Sequence, residues 1–209
     1  MHINQGEHWT LVGMTGSGKT YFEVRLLQTM IRAWPNTPVF IVDAKRQDDF
    51  AIWNRFYYEH DTLPSRLPQF MVWRPSIDDP AMYDNAFGQI LQEGTKRTVL
   101  VDELSLIGGR DGQSYPLNFQ RLMKVGRGMH ITMVVGTQEL ANGPRQIIGQ
   151  CQHGVLFRIQ NWYDLRKFWK DLAGQDGIDM RAMAPHGFWY YNSKQHEKRL
   201  FADVRELVH

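Results

Sequence analysis

The sequence predicts an α/β domain with a mainly parallel central sheet covered by helices on both faces. Three observations carry that expectation. Short apolar runs alternate with helix-patterned segments up to about residue 175. The runs are continuous rather than alternating in polarity, as strands buried on both faces require. A glycine-rich loop joins the first run to the first helical segment. With 209 residues, 43% apolar and 22% charged, the chain can bury one sizeable core, and its composition excludes a disordered, collagen-like or coiled-coil protein.

Residues 9–12 form the first expected strand. The helix over residues 19–34 follows, with Leu26, Leu27, Met30 and Ile31 on one face and Pro35 ending it. Residues 39–42, 70–73, 98–101, 131–135 and 155–159 are the further strands, and 49–58, 80–92 and 116–127 carry helical spacing. The last 35 residues differ: the aromatic run 187–192 and residues 200–204 predict a terminal hairpin or lid, joined by a charged link over 194–199. We expect one domain, with a core of about 8–175 and a C-terminal β extension of about 186–209. Phe188-Trp-Tyr-Tyr191 suits a core strand; stacking on adenine or packing on a neighbouring subunit is the alternative.

No stretch approaches the roughly 20 apolar residues of a membrane-spanning helix, and the first residues lack the pattern of a signal peptide. A soluble protein is the expectation. The formal charge of +2 is too balanced to argue for nucleic acid by itself. A single cysteine, Cys151, excludes an internal disulfide framework and suits a reducing compartment. The eight histidines show no metal-binding spacing, so Mg²⁺ is the only metal expected.

Gly13-Met14-Thr15-Gly16-Ser17-Gly18-Lys19-Thr20 matches the phosphate-loop pattern G-x-x-x-x-G-K-[ST] in full. Gly13, Gly16 and Gly18 permit positive φ and close backbone approach, so successive N–H groups can surround the β- and γ-phosphates of ATP. The helix that starts near Lys19 adds the positive end of its dipole. Lys19 is expected to reach the β- and γ-phosphates, and Thr20 to ligate Mg²⁺. A flexible glycine-rich turn is the bland alternative.

The strand over residues 98–101 ends in Asp102 and Glu103, at the edge where open parallel sheets bind ligands. Asp102 is expected in the Mg²⁺ shell and Glu103 as the base for an attacking water. A solvated acidic pair is the alternative. The strand from Ile131 closes on Thr137-Gln138. Inserted between the other two strands, it would aim Gln138 at the γ-phosphate; otherwise Gln138 is a loop cap.

Together these features resemble the FtsK–HerA superfamily of P-loop motor ATPases. Four segments carry the likeness: Gly13–Thr20, Val39-Phe-Ile-Val-Asp43-Ala-Lys45, Val99-Leu-Val-Asp-Glu103, and the stretch from Gly126-Arg127 to Thr137-Gln138. The second departs from the family's Asp-Pro-Lys at Ala44. Residues 155–159 and 162–168 are similar to the family's next strand and helix. The resemblance implies a RecA-like, ASCE-type P-loop NTPase fold, a three-layer α-β-α sandwich. It also implies a homo-oligomeric ring of five or six subunits that threads double-stranded DNA and hydrolyses ATP at its interfaces. An arginine finger in trans is implied too: Arg127 is the first candidate, with Arg121, Arg145 and Arg158 open, and a helix-capping cation is the alternative for Arg127. Asp43 and Lys45 fall at the same sheet edge, as site residues or as an internal ion pair.

The sequence shows no N-terminal membrane region, winged helix or N-terminal barrel, and the expectation is therefore a bare motor. That looks most like the genome-packaging ATPases of tailless, internal-membrane-containing viruses. A capsid vertex or membrane-associated protein would be its partner, and the host cytoplasm and virion its location. A plasmid-transfer or segregation ATPase, a nucleotide-dependent assembly switch and, more weakly, a small-molecule phosphotransferase are the alternatives. Glu103 and Gln138 favour hydrolysis over transfer. Within residues 104–115, Arg110, Gln113 and Ser114 are candidates for phosphate contacts to DNA, against an ordinary connector. Lys96, Arg121 and Lys124 are vaguer ones.

Overall fold

The computed structural model describes residues 3–76, 79–108, 114–138, 145–159, 183–195, 197–203 and 205. The strands are β1 (Trp9–Val12), β2 (Val39–Val42), β3 (Tyr57–Tyr58), β4 (Phe70–Trp73), β5 (Arg97–Val101), β6 (Ile131–Thr137), β7 (His153–Phe157), β8 (Phe188–Asn192) and β9 (Glu197–Phe201). They form one nine-stranded sheet in the order β3-β4-β2-β5-β6-β1-β7-β8-β9. Every pairing from β3 to β7 is parallel, and β8 and β9 add on antiparallel.

The helices are α1 (Lys19–Ala33), α2 (Pro80–Glu93), α3 (Leu104–Ile107), α4 (Leu117–Val125) and α5 (Arg145–Ile148). Alternate residues of each strand point to opposite faces, and both faces are apolar. Phe40, Val42, Val99, Val101, Met133 and Val135 pack with α2 and α4 through Tyr83, Phe87, Phe119 and Leu122. Ile41, Leu100, Val134, Leu11 and Val155 pack with α1 through Phe22, Leu26, Leu27 and Met30. This is the expected sandwich. Among the described residues no helix is long and apolar enough to cross a membrane.

Several expected elements differ: the helix expected over 116–127 ends at Val125, before a 3₁₀ turn, Gly126–Met129, and the strand expected over 131–135 runs on to Thr137. Residues 49–58 were expected as one helix; the chain instead forms a 3₁₀ segment, Asp48–Phe56, and then strand β3. The helical turns break at Phe50 and Trp53, whose backbones leave helical φ/ψ, and both side chains bury there with their rings stacked at 6.3 Å. The seventh strand starts two residues earlier than expected, because His153 and Gly154 pair with Trp9 and Thr10. The last strand is Glu197–Phe201 rather than residues 200–204: part of the charged link is itself the sheet's edge strand, and charge is what such an edge favours.

The aromatic run 188–191 is a core strand, with Phe188 and Tyr190 buried against Phe157 and Trp9. His153 Nε2 meets a Glu7 oxygen at 2.8 Å and its Nδ1 meets the Tyr190 hydroxyl at 2.9 Å, fastening the C-terminal hairpin to β1 and β7. Ser114 is exposed, whereas Arg110, Gln113 and the segment 162–168 lie outside the described residues.

Candidate nucleotide site

Because β1, β2, β5 and β6 run parallel and adjacent, their C-terminal ends share one edge of the sheet. The phosphate loop follows β1, Asp43 and Lys45 follow β2, Asp102 and Glu103 follow β5, and Gln138 follows β6. The strand bearing Gln138 lies between the loop strand and the acidic strand, as its proposed duty requires.

The loop is shaped by two glycines in the left-handed region, Gly16 at φ +77° and Gly18 at φ +97°. Gly13 was expected to share that need, but its φ is not positive. Space is its constraint: a Cβ there would stand 2.6 Å from both Phe157 Cβ and Ser17 Oγ. Gly13 N–H donates to the Thr137 carbonyl at 3.1 Å, and Met14 N–H to the Arg158 carbonyl at 3.3 Å, tying the loop to the strands on either side. Thr15 Oγ1 donates to Gln138 Oε1 at 3.1 Å. Thr20 lies half-buried in the first turn of α1.

Lys19 is buried at 4% exposure and donates to the Asp102 carbonyl at 2.9 Å and to Glu23 Oε1 at 3.2 Å. Glu23 is fully buried beneath the loop, one turn along α1, and was not foreseen. The signal was present, as an acid at i+4 from the loop lysine on the helix face that otherwise buries Phe22, Leu26, Leu27 and Met30. Gly136 makes the arrangement possible. A Cβ there would stand 2.3 Å from Glu23 Oε1, 2.5 Å from the Asp102 carbonyl and 2.9 Å from Lys19 Nζ.

Asp102 and Glu103 are buried rather than solvated. Ala44 N–H donates to Asp102 Oδ1 at 3.2 Å. Glu103 Oε1 accepts from the Gln138 N–H at 3.2 Å and from Ser105 Oγ at 3.1 Å. The other oxygen of each, Asp102 Oδ2 and Glu103 Oε2, accepts no hydrogen bond. Burial pushes the Asp102 carboxyl up to about 7, against the opposing pull of Lys45. Burial likewise raises Glu23, with Lys19 and Lys45 opposing. Burial alone would lower Lys19, but the field of Glu23, Glu103 and Asp102 outweighs it and raises the ammonium's pKa. Three acids, Glu23, Asp102 and Glu103, thus share this centre with two ammonium groups, Lys19 and Lys45.

These residues fit a magnesium ion. Two buried carboxylate oxygens lack donors, and Thr20, with its hydroxyl, is in the first turn of α1 directly after Lys19. No group of three or more His, Cys, Asp or Glu side chains among the described residues forms a metal cage. Mg²⁺ typically keeps several waters and uses one or two carboxylates together with substrate phosphates.

Asp43 and Lys45 do not pair with each other. Asp43 Oδ2 accepts from Arg74 Nε at 2.6 Å, and Arg74 lies over the Tyr57 ring at 3.6 Å. Lys45 turns the other way, with Nζ 3.6 Å from Glu103 Oε2 and 3.9 Å from Asp102 Oδ2.

Arg127 lies in a 3₁₀ turn, Gly126–Met129, just before β6. It is thus at the opposite end of β6 from Gln138, about 20 Å away along the seven residues of that strand. Its side chain is exposed, as are those of Arg121 and Arg158, and the Arg145 side chain lies outside the described residues.

No family model and no curated protein matches the sequence. Solved structures do match. The DNA-packaging ATPase B204 of Sulfolobus turreted icosahedral virus superposes with a TM-score of 0.77 at 13% identity, over 96% of this chain and 99% of that one. The genome-packaging NTPase B204 of Sulfolobus turreted icosahedral virus 2, in complex with AMPPCP, gives 0.77 at 15% identity over 96% and 99%. The conjugation coupling protein TcpA of pCW3, solved with ATPγS, gives 0.64 at 14% identity over 97% of this chain and 62% of that one. The chain has the P-loop ATPase fold that these proteins share.

Proposed function

We propose that this protein is an ATP-hydrolysing translocase of double-stranded DNA, acting as a ring in viral genome packaging. One observation carries the reading: the phosphate loop, the acidic pair and Gln138 converge at one sheet edge, and Glu103 accepts a hydrogen bond from the strand that bears Gln138. The likeness to two packaging ATPases over nearly their whole length supports the choice of packaging among the motor functions.

The loop N–H groups and Lys19 would receive the β- and γ-phosphates, with the N-terminus of α1 directed at them. Thr20 and Asp102 would hold Mg²⁺, whose charge offsets that developing on the phosphoryl oxygens. Glu103 has one oxygen engaged by Gln138 N–H and Ser105, which fixes its carboxylate plane. The other oxygen, Oε2, is left to take the proton of an attacking water. The Gln138 amide, linked to Thr15, would report the γ-phosphate to β6. Arg127, exposed at the far edge, would serve a neighbouring subunit rather than its own site. DNA, the ring and docking at a capsid vertex in the host cytoplasm belong to this same proposal.

The test is steady-state ATP hydrolysis with and without duplex DNA of unrelated sequences. Stimulation by any duplex, weakening as salt rises, is the expected result. Hydrolysis indifferent to every nucleic acid would overturn the DNA assignment and leave a nucleotide-dependent assembly switch.

A further inference from the structure

Lys45 forms its ion pairs with the acidic pair rather than with Asp43, its neighbour in sequence. Its side chain is 11% exposed, and its ammonium lies 3.6 Å from Glu103 Oε2 and 3.9 Å from Asp102 Oδ2. Those are the two oxygens of the acidic pair that accept no hydrogen bond. Both distances exceed a hydrogen bond, so attraction between charges holds the ammonium without directional bonds.

The backbone puts Lys45 there deliberately. Arg46 occupies the left-handed region at φ +53°, and its N–H donates to the Asp43 carbonyl at 3.2 Å, closing a tight turn after β2. A non-glycine residue at such a φ is strained, and strain of this kind gathers at functional sites. Ala44 N–H, in the same turn, donates to Asp102 Oδ1. The turn is thereby keyed to the carboxylate whose other oxygen faces Lys45. Lysine suits a movable charge, being a compact ammonium on a flexible four-carbon stem.

We propose that Lys45 is a built-in competitor for the site's divalent cation. It is a positioning residue whose ammonium shares Asp102 Oδ2 and Glu103 Oε2, and which the metal–nucleotide complex displaces. Its role rests on the reading of this edge as a Mg²⁺–nucleotide site. Two cations claim the same oxygen, and a hydrated Mg²⁺ held by Asp102 must repel or move the ammonium. Glu103 Oε2, the proton acceptor, is freed by the same displacement. The acidic pair is thus released as the metal–nucleotide complex arrives, and the free protein is spared an uncompensated buried charge.

The experiment is a Mg²⁺ titration of a fluorescent, non-hydrolysable ATP analogue bound to the full chain, which reads binding rather than turnover. In Lys45→Met the Mg²⁺ midpoint falls by about tenfold or more, because the competing charge is gone. In Lys45→Arg, which keeps the charge, it stays within about twofold of the unmodified protein. Binding of the analogue in excess chelator is unchanged in all three. Lys45→Gln, a milder neutral change, moves the midpoint the same way as Lys45→Met, and thermal melts verify folding. An unchanged or raised midpoint in both neutral variants overturns the proposal. Loss of metal-free binding also overturns it, since Lys45 would then be a phosphate ligand. If the unmodified protein shows no metal-dependent binding, the reading of the site fails with it; if it does bind, only the role of Lys45 is at stake.

Discussion

The backbone N–H of Gln138 donates to Glu103 Oε1 at 3.2 Å, joining the end of β6 to the carboxylate that follows β5. The Gln138 side chain accepts from Thr15 of the phosphate loop at 3.1 Å. A single residue therefore touches both the loop that would bind phosphate and the group that would take the proton. On the proposed function, a change at the γ-phosphate would have a direct path to Glu103 through these two hydrogen bonds.

Glu103→Gln keeps the shape and the Oε1 acceptor but removes the base. Hydrolysis should fall by about 10²–10⁴-fold. Affinity for the ATP analogue should stay within a few-fold, because Glu103 is not among the groups placed on the phosphates. Isothermal titration beside a phosphate-release assay separates the two. Equal losses of binding and turnover would remove Glu103 from the base role.

Gly136→Ala drives a methyl into Glu23 Oε1 at 2.3 Å and the Asp102 carbonyl at 2.5 Å, where backbone and a fully buried side chain leave little room to yield. Stability should drop by about 1–3 kcal/mol, the usual range for overpacking. Nucleotide affinity should fall as well, since Lys19 Nζ is 2.9 Å from the same point. Gly128→Ala, with nothing within 4 Å, is the control and should be nearly neutral. Denaturant unfolding of both variants supplies the comparison.

Arg127 is tested by mixing subunits. An Arg127→Ala protein should bind nucleotide normally yet hydrolyse poorly on its own. Combined with Glu103→Gln subunits, which retain Arg127, it should recover part of its activity at mixed interfaces. Full activity of Arg127→Ala alone would hand the role to Arg121, Arg145 or Arg158.

His8 is shut off from solvent, and its Nδ1 accepts the Met133 N–H at 3.2 Å. Burial lowers its pKa from 6.5 to about 4, and the charge of Arg127 works in the same direction. Below pH 6.5 the unfolded chain takes up a proton that folded His8 refuses. Its contribution to stability is therefore complete above pH 6.5 and is lost as pH falls toward 4. The loss should reach about 1.5 kcal/mol between pH 6.5 and 5. Chemical unfolding across that range should show a slope that His8→Asn flattens; an equal slope in the variant would assign it to other groups.

Much of the site was legible because its chemistry is written in contiguous stretches. Residues 13–20 specify a loop by local torsion and size alone. Asp102-Glu103 and Thr137-Gln138 each close an apolar strand, and the end of a parallel strand is a predictable address. Glu23 was overlooked although its spacing from Lys19 signalled it, because an acid on a helix is ordinarily a solvated one. Gly136 stood inside a strand, where glycine marks a close approach without naming what approaches. Arg74 carried no signal, since its partner Asp43 is 31 residues away.

By itself, then, the sequence determined most of the elements, the phosphate loop and the residue types at the sheet edge, because torsional limits, polarity period and motif spacing act over short distances. Only the tertiary structure decided the partners: Lys19 with Glu23 and the Asp102 carbonyl, Asp43 with Arg74, and Lys45 with the acidic pair. Strand order brings residues 58 or 83 positions apart to within hydrogen-bond reach. Burial then determines which charges must find each other, and no local pattern encodes that choice.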